Sequence, residues 1–166
     1  MKKILVAGII CAAGLLGCQS DMAAFEKGNP EAGNKVLFAG ASSRFKNAVV
    51  EKVLEELGKE SYYCRGIGIS LLEQTDLTQF DAVVIVCAIQ GGKIEERARN
   101  YFSNDPTNGK LIGFYTAGLG IDESGKPEMG TPDVHIDAVT SASEMKKAGQ
   151  KAKELAALIK KKCEGL

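Results

Sequence analysis

The segment Phe80–Ile89, FDAVVIVCAI, decides how this chain folds. Its centre, Val83-Val84-Ile85-Val86, has no polar residue. A strand with one wet face alternates apolar and polar positions, whereas an unbroken apolar run suits a strand covered on both faces. Such strands belong to parallel sheets flanked by helices. On either side, the neighbouring segments keep that pattern. Lys35–Ala41 (KVLFAGA) and Lys110–Leu119 (KLIGFYTAGL) are further apolar strands, and Val134–Val139 is a shorter one. Ser61–Ile69 is weaker, interrupted by Gly66 and Gly68, and suits a sheet edge.

Helical spacing separates these strands. Within Arg44–Lys59, Val49, Val53 and Leu57, with Val50 and Leu54, fall on one face, and Gly58 is a plausible stop. Ile94, Ala98, Tyr101 and Phe102 mark a second helix. A third begins near Ser143 and places Met145, Ala148, Ala152, Leu155, Ala156 and Ile159 on its buried side. Little room remains for a helix between Ile69 and Phe80. Gly120–Pro132 is polar and turn-rich, a loop insertion before the last strand. The fold class expected is α/β, an open parallel sheet with helices on both faces.

The amino terminus has a different composition. Lys2 and Lys3 precede an apolar run from Ile4 to Gly17, the layout of a secretory signal. The run is shorter than the roughly 20 residues that cross a bilayer, which argues against a membrane-spanning anchor. Its end, Leu15-Leu16-Gly17-Cys18, resembles the lipobox of bacterial lipoproteins. The resemblance implies removal of residues 1–17 and lipid on Cys18, hence an exported protein anchored in the cell envelope. Gln19, rather than aspartate, after that cysteine implies outer-membrane delivery, on the periplasmic side, in a diderm organism. Residues 18–34 then read as the lipidated cysteine and a flexible tether, punctuated by Gly28, Pro30 and Gly33. Residues 35–166 form one domain.

The 21 basic and 21 acidic residues balance, and loss of Lys2 and Lys3 leaves a slight acidic excess. Nothing in that charge attracts nucleic acid. Of five cysteines, Cys11 leaves with the signal and Cys18 carries lipid, so Cys64, Cys87 and Cys163 remain as thiols and at least one stays unpaired within the chain. Cys64 and Cys87 sit in apolar runs and read as small buried hydrophobes. His135 is the single histidine. Asp133 and Asp137 beside it do not complete a metal site, and no catalytic triad can be composed. The lysines of the last helix read as its polar face, with anionic lipid as the other reading.

In an open parallel sheet, ligands lie beyond the carboxyl ends of the strands. Ser42, Ser43, Arg44, Lys46 and Asn47 leave the first strand. Gln90, Gly91 and Gly92 leave FDAVVIVCAI, ahead of Lys93. Thr116, Ala117 and Gly118 end the fourth strand, and Thr140, Ser141 and Ser143 the fifth. Small hydroxyl residues and glycines permit close backbone approach, and helix N-termini favour a phosphate. Taken singly, each loop reads as a helix cap or a corner, and it is the four together on one edge that point to a ligand.

KVLFAGASSRFKNAVVEKVLEEL, FDAVVIVCAIQGGKIEERARNYF and KLIGFYTAGLG together resemble the flavodoxin family over about residues 35–160. The resemblance implies five parallel strands in the order 2-1-3-4-5 and FMN held noncovalently between the loops above, with a similar small phosphorylated ligand as the other expectation. It also implies electron transfer, as a carrier or binding protein rather than a reductase. The first loop departs from the family: Phe45 stands where a glycine is usual, and Arg44 and Lys46 either supply charge or form a solvated helix start. Asp137-Ala138-Val139-Thr140-Ser141-Ala142-Ser143 is also similar to the motif of exported domains that esterify the flavin phosphate to a threonine, with Ser143 at the acceptor position. The alternative to a flavin protein is a scaffold or binding lipoprotein that keeps the fold without the cofactor.

Overall fold

The computed structural model describes residues 20–90, 93–118 and 137–165. The signal segment 1–17, Cys18, Gly91, Gly92, the insertion 120–132, Asp133 and His135 lie outside the described residues. In chain order the elements begin with β1 (Phe25–Lys27), β2 (Asn34–Gly40), α1 (Arg44–Leu57) and β3 (Tyr62–Gly68). Two 3-10 turns, Ile69–Gln74 and Leu77–Gln79, follow. Then come β4 (Ala82–Gln90), β5 (Lys93–Ile94), α2 (Glu96–Asn104), β6 (Leu111–Ala117) and β7 (Asp137–Ala142). A 3-10 turn at Met145–Lys147 leads into α3 (Ala148–Cys163).

The strands form a sheet in the order β1-β3-β2-β4-β6-β7. Along this order every pairing from β3 to β7 is parallel, which is the expected 2-1-3-4-5 order, while the two-residue β5 pairs antiparallel with β4 off that path. FDAVVIVCAI supplies its centre. Val84 lies in register between Phe38 of β2 and Ile112 of β6. Alternate residues face opposite sides of a strand, so this run feeds two cores. Phe38, Val84, Val86, Ile112 and Phe114 pack beneath α1 and α3. Leu37, Val83, Ile85 and Cys87 pack against Phe102 of α2 and Leu72 of the first 3-10 turn. The short span between β3 and β4 thus covers its face with 3-10 turns instead of a helix.

Three expectations are corrected. The stretch read as a tether contains β1, which pairs antiparallel with β3, so β3 is not a free edge. The Phe25 ring occupies the space above Gly66, where a Cβ would come within 2.1 Å of it. Met145 is 45% exposed because it precedes α3 in a 3-10 turn instead of lying on the helix's buried face. The last strand runs through Ala142, so Thr140 and Ser141 belong to β7 and not to a loop after it.

Gly149 lies in the first turn of α3 with nothing within 4 Å of a built Cβ. Gly149→Ala is expected to stabilise the fold by about 0.5–1 kcal/mol, because alanine loses less backbone entropy on entering a helix. Urea denaturation at constant m-value checks it, and an unchanged or lower midpoint would count against the helical environment assigned to Gly149.

Candidate functional site at the carboxyl edge of the sheet

The carboxyl ends of β2, β4, β6 and β7 converge on one edge, where the first turn of α1 also begins. Ser43 adopts an extended conformation (φ −155°, ψ 161°), and its Oγ accepts the Lys46 backbone N–H at 3.2 Å, capping α1. A recess of about 200 Å³ opens beside this cap. Of the residues expected at a site, Ser43, Lys46, Gln90, Thr116, Ala117, Gly118 and Ser143 line it, together with Ala88 and Ile89. Ser42, Arg44, Asn47, Thr140 and Ser141 do not. Ser141 is fully buried, while Arg44 and Asn47 are exposed beside the recess.

The hydroxyls here are internally bonded. Ser42 Oγ donates to Asn47 Oδ1 at 3.2 Å, Thr116 Oγ1 to the Cys87 carbonyl at 3.3 Å, and Ser143 Oγ to the Ala117 carbonyl at 2.8 Å. Ser141 Oγ donates to the Ala142 carbonyl at 2.8 Å. What the edge offers an anion is therefore positive charge and backbone N–H groups more than free hydroxyls. No acidic residue sits in the first turn of α1, whose N-terminus carries the positive end of the helix dipole. Phe45 turns away into the core and meets the Phe114 ring with centroids 6.3 Å apart.

Lys46 is only 1% exposed. It is not a solvated helix start. Burial holds its ammonium below the usual lysine range, opposed by attraction to Cys87 and Glu95. The sequence carried a signal for this placement. Lys46 precedes Val50, Val53 and Leu57 by four, seven and eleven residues, the spacing of one helical face.

A charged network beside the recess was not legible in the sequence, because Asp21 lies in the supposed tether. Arg97 donates from Nε to Glu95 Oε1 at 2.8 Å and from Nη1 to Asp21 Oδ1 at 3.0 Å. Ser70 Oγ also donates to Asp21. That hydroxyl, followed by Arg97, holds the Asp21 carboxyl below the usual carboxylate range against the opposing effect of burial. These contacts fix the entering chain to the carboxyl edge. The Ser42 N–H donates to the Ser20 carbonyl at 2.7 Å, and the Met22 N–H to the Gly40 carbonyl at 2.8 Å.

Among the described residues the cysteines offer no reactive thiolate. Cys64, Cys87 and Cys163 are unpaired. Burial pushes the Cys64 thiol up to about 12 and the Cys163 thiol up to about 11, and it raises that of Cys87 as well. Thiols held protonated at neutral pH are poor nucleophiles. Among the described residues no cluster of histidine, cysteine and carboxylate side chains could hold a metal. Nor is any helix among them long and apolar enough to cross a membrane.

The parallel strand order, the two covered faces and the recess at the carboxyl edge define a flavodoxin-like α/β domain. No protein-family model and no curated protein matches the chain. Solved flavodoxins do share its fold. The two-electron reduced flavodoxin of Megasphaera elsdenii superposes with a TM-score of 0.55 at 17% identity, covering 76% of this chain and 98% of that one. Oxidised flavodoxin 2 of Bacillus cereus gives a TM-score of 0.50 at 16% identity, over 77% of this chain and 99% of that one. A single-site mutant of Pseudomonas aeruginosa flavodoxin gives 0.50 at 16%, over 76% and 99%.

Proposed function

We propose that this chain is an exported, lipid-anchored flavin protein that binds FMN at the carboxyl edge of its sheet and carries electrons at the cell envelope. The observation that carries the flavin reading is Lys46, a buried cation under a recess at the amino end of a helix. This donor set fits a flavin phosphate: Lys46 and the exposed Arg44 supply charge, and the first turn of α1 supplies N–H groups. Gln90, Thr116, Ala117 and Gly118 also line the recess. When bound, the flavin supplies the redox chemistry, and the chain contributes position and electrostatics.

The test is a fluorescence titration with FMN and, in parallel, riboflavin, which lacks the phosphate. Lys46→Met keeps much of the side-chain volume and removes the charge. A hydrogen bond to a charged group contributes about 1.5–3 kcal/mol, so FMN affinity should fall about 10- to 150-fold while riboflavin affinity stays nearly constant. Ser42→Ala should have a far smaller effect, since its hydroxyl is engaged with Asn47. Equal losses for both flavins would remove the phosphate role from Lys46.

A flavin-free binding module is favoured by one observation, the internal bonding of the site's hydroxyls. Absence of FMN binding by the folded parent would select it. Anchoring rests on the Leu-Leu-Gly-Cys segment. Cys18→Ala is expected to accumulate as an unprocessed precursor that takes up no labelled fatty acid. Equal labelling of parent and variant would refute lipid attachment at Cys18.

A further inference from the structure

We infer that the carboxyl edge of the sheet is a membrane-docking face, so that the recess opens toward the lipid surface. The inference rests on acylation of Cys18 and adds an orientation to it. Ser20 is held at this edge through its carbonyl, which accepts the Ser42 N–H at 2.7 Å. Asp21 pairs with Ala41 and is tied to Arg97 and Ser70. Cys18 is two residues ahead of Ser20, and two residues of chain span at most about 7 Å. A lipid on Cys18 therefore enters the bilayer next to the loop that caps α1, with no long tether to let the domain turn over.

A second observation points the same way. Among the described residues the exposed large apolar side chains are Leu71, 46% exposed, and Met145, 45% exposed. Leu71 follows the carboxyl end of β3 and Met145 that of β7. They stand at the two ends of the parallel sheet, on the edge that holds Ser20. The two lie at opposite ends of the parallel sheet and form no contiguous patch, so each serves as a separate insertion point beside the anchor. The charges around them are mixed, Arg44, Lys93 and Lys146 against Glu73 and Glu96. The contact is thus set by the anchor and the two apolar side chains more than by anionic lipid. On α3, Lys151, Lys160 and Lys162 pair with Glu154, Glu60 and Asp137, which leaves Lys153 and Lys161 as its exposed cations outside these pairs.

The chain contains no tryptophan, so single tryptophans report position without background. Leu71→Trp and Met145→Trp probe the proposed face, and Lys59→Trp probes the opposite edge, where Lys59 is exposed just past the end of α1. Each full-length variant would be purified from bacterial membranes, checked for fatty-acid label, and reconstituted without flavin into phosphatidylcholine vesicles carrying brominated acyl chains. At positions 71 and 145, quenching should exceed that at 59 by at least about two-fold, with blue-shifted emission, and should persist in high salt. Acylated protein quenched equally at all three positions, more strongly at 59, or at none would overturn the orientation while leaving the anchor intact. Protein without label that stays off vesicles would remove the anchor, and this inference with it.

Discussion

Val84→Asp is expected to leave the chain unfolded or insoluble. Val84 is fully buried, at the centre of the sheet, with Phe38 and Ile112 in register on either side. It faces the layer formed by α1 and α3, where Val49, Val53 and Leu155 are also buried. An aspartate there either stays ionised without a partner, at a cost of several kcal/mol, or takes up a proton and remains a polar group without a hydrogen bond. The lost apolar burial adds about 1.5–3 kcal/mol. The total is comparable with the whole stability of a typical domain, about 5–15 kcal/mol. Circular dichroism followed through thermal unfolding checks the result. A soluble variant melting within about 2 °C of the parent would mean that this run is not buried as described.

The second large effect is expected from a single methyl group at Gly40. Gly40 ends β2 between Gly68 of β3 and Val86 of β4. A Cβ there would sit 2.3 Å from the Val86 carbonyl oxygen and 2.6 Å from the Val86 Cβ. The sheet holds both neighbours in place, and a backbone oxygen cannot rotate aside as a side chain can. Gly40→Ala should therefore cost about 3 kcal/mol or more, at or beyond the upper end for overpacked interiors. Because Gly40 also accepts the Met22 N–H, amide exchange at Met22 should accelerate beyond the global change. A variant with parental stability would show that β2 and β4 are farther apart at this end than described.

The parallel sheet was legible in the sequence because helices and turns cover both of its faces, which leaves Val83–Val86 unbroken by polar residues. Strand β1 was not, because Phe25-Glu26-Lys27 is three residues long and two of them are charged. Its pairing comes from β3 and from the Phe25 ring filling the space over Gly66. The end of β7 was placed too early because Thr140 and Ser141 are small and polar, and only pairing with Tyr115 and Thr116 makes them strand. At the candidate site the loops were legible from topology. The burial of Lys46 was present in the helical spacing, yet a lysine beside a serine cap reads as a solvated start. Asp21 and its tie to Arg97 are long-range and had no sequence signal.

The flavin reading requires a ligand at the carboxyl edge. A larger recess, about 410 Å³, opens at the opposite end, lined by Lys27–Asn29, Gly58 and Glu60–Tyr62. Size alone favours it, but it has no buried cation and no helix N-terminus. The most direct measurement is an amide NMR spectrum of the 15N-labelled protein titrated with FMN. The largest shifts should fall on Ser43, Lys46, Thr116, Gly118 and Ser143. Shifts concentrated at Gly28, Gly58 and Ser61, or an unchanged spectrum at saturating FMN, would contradict it.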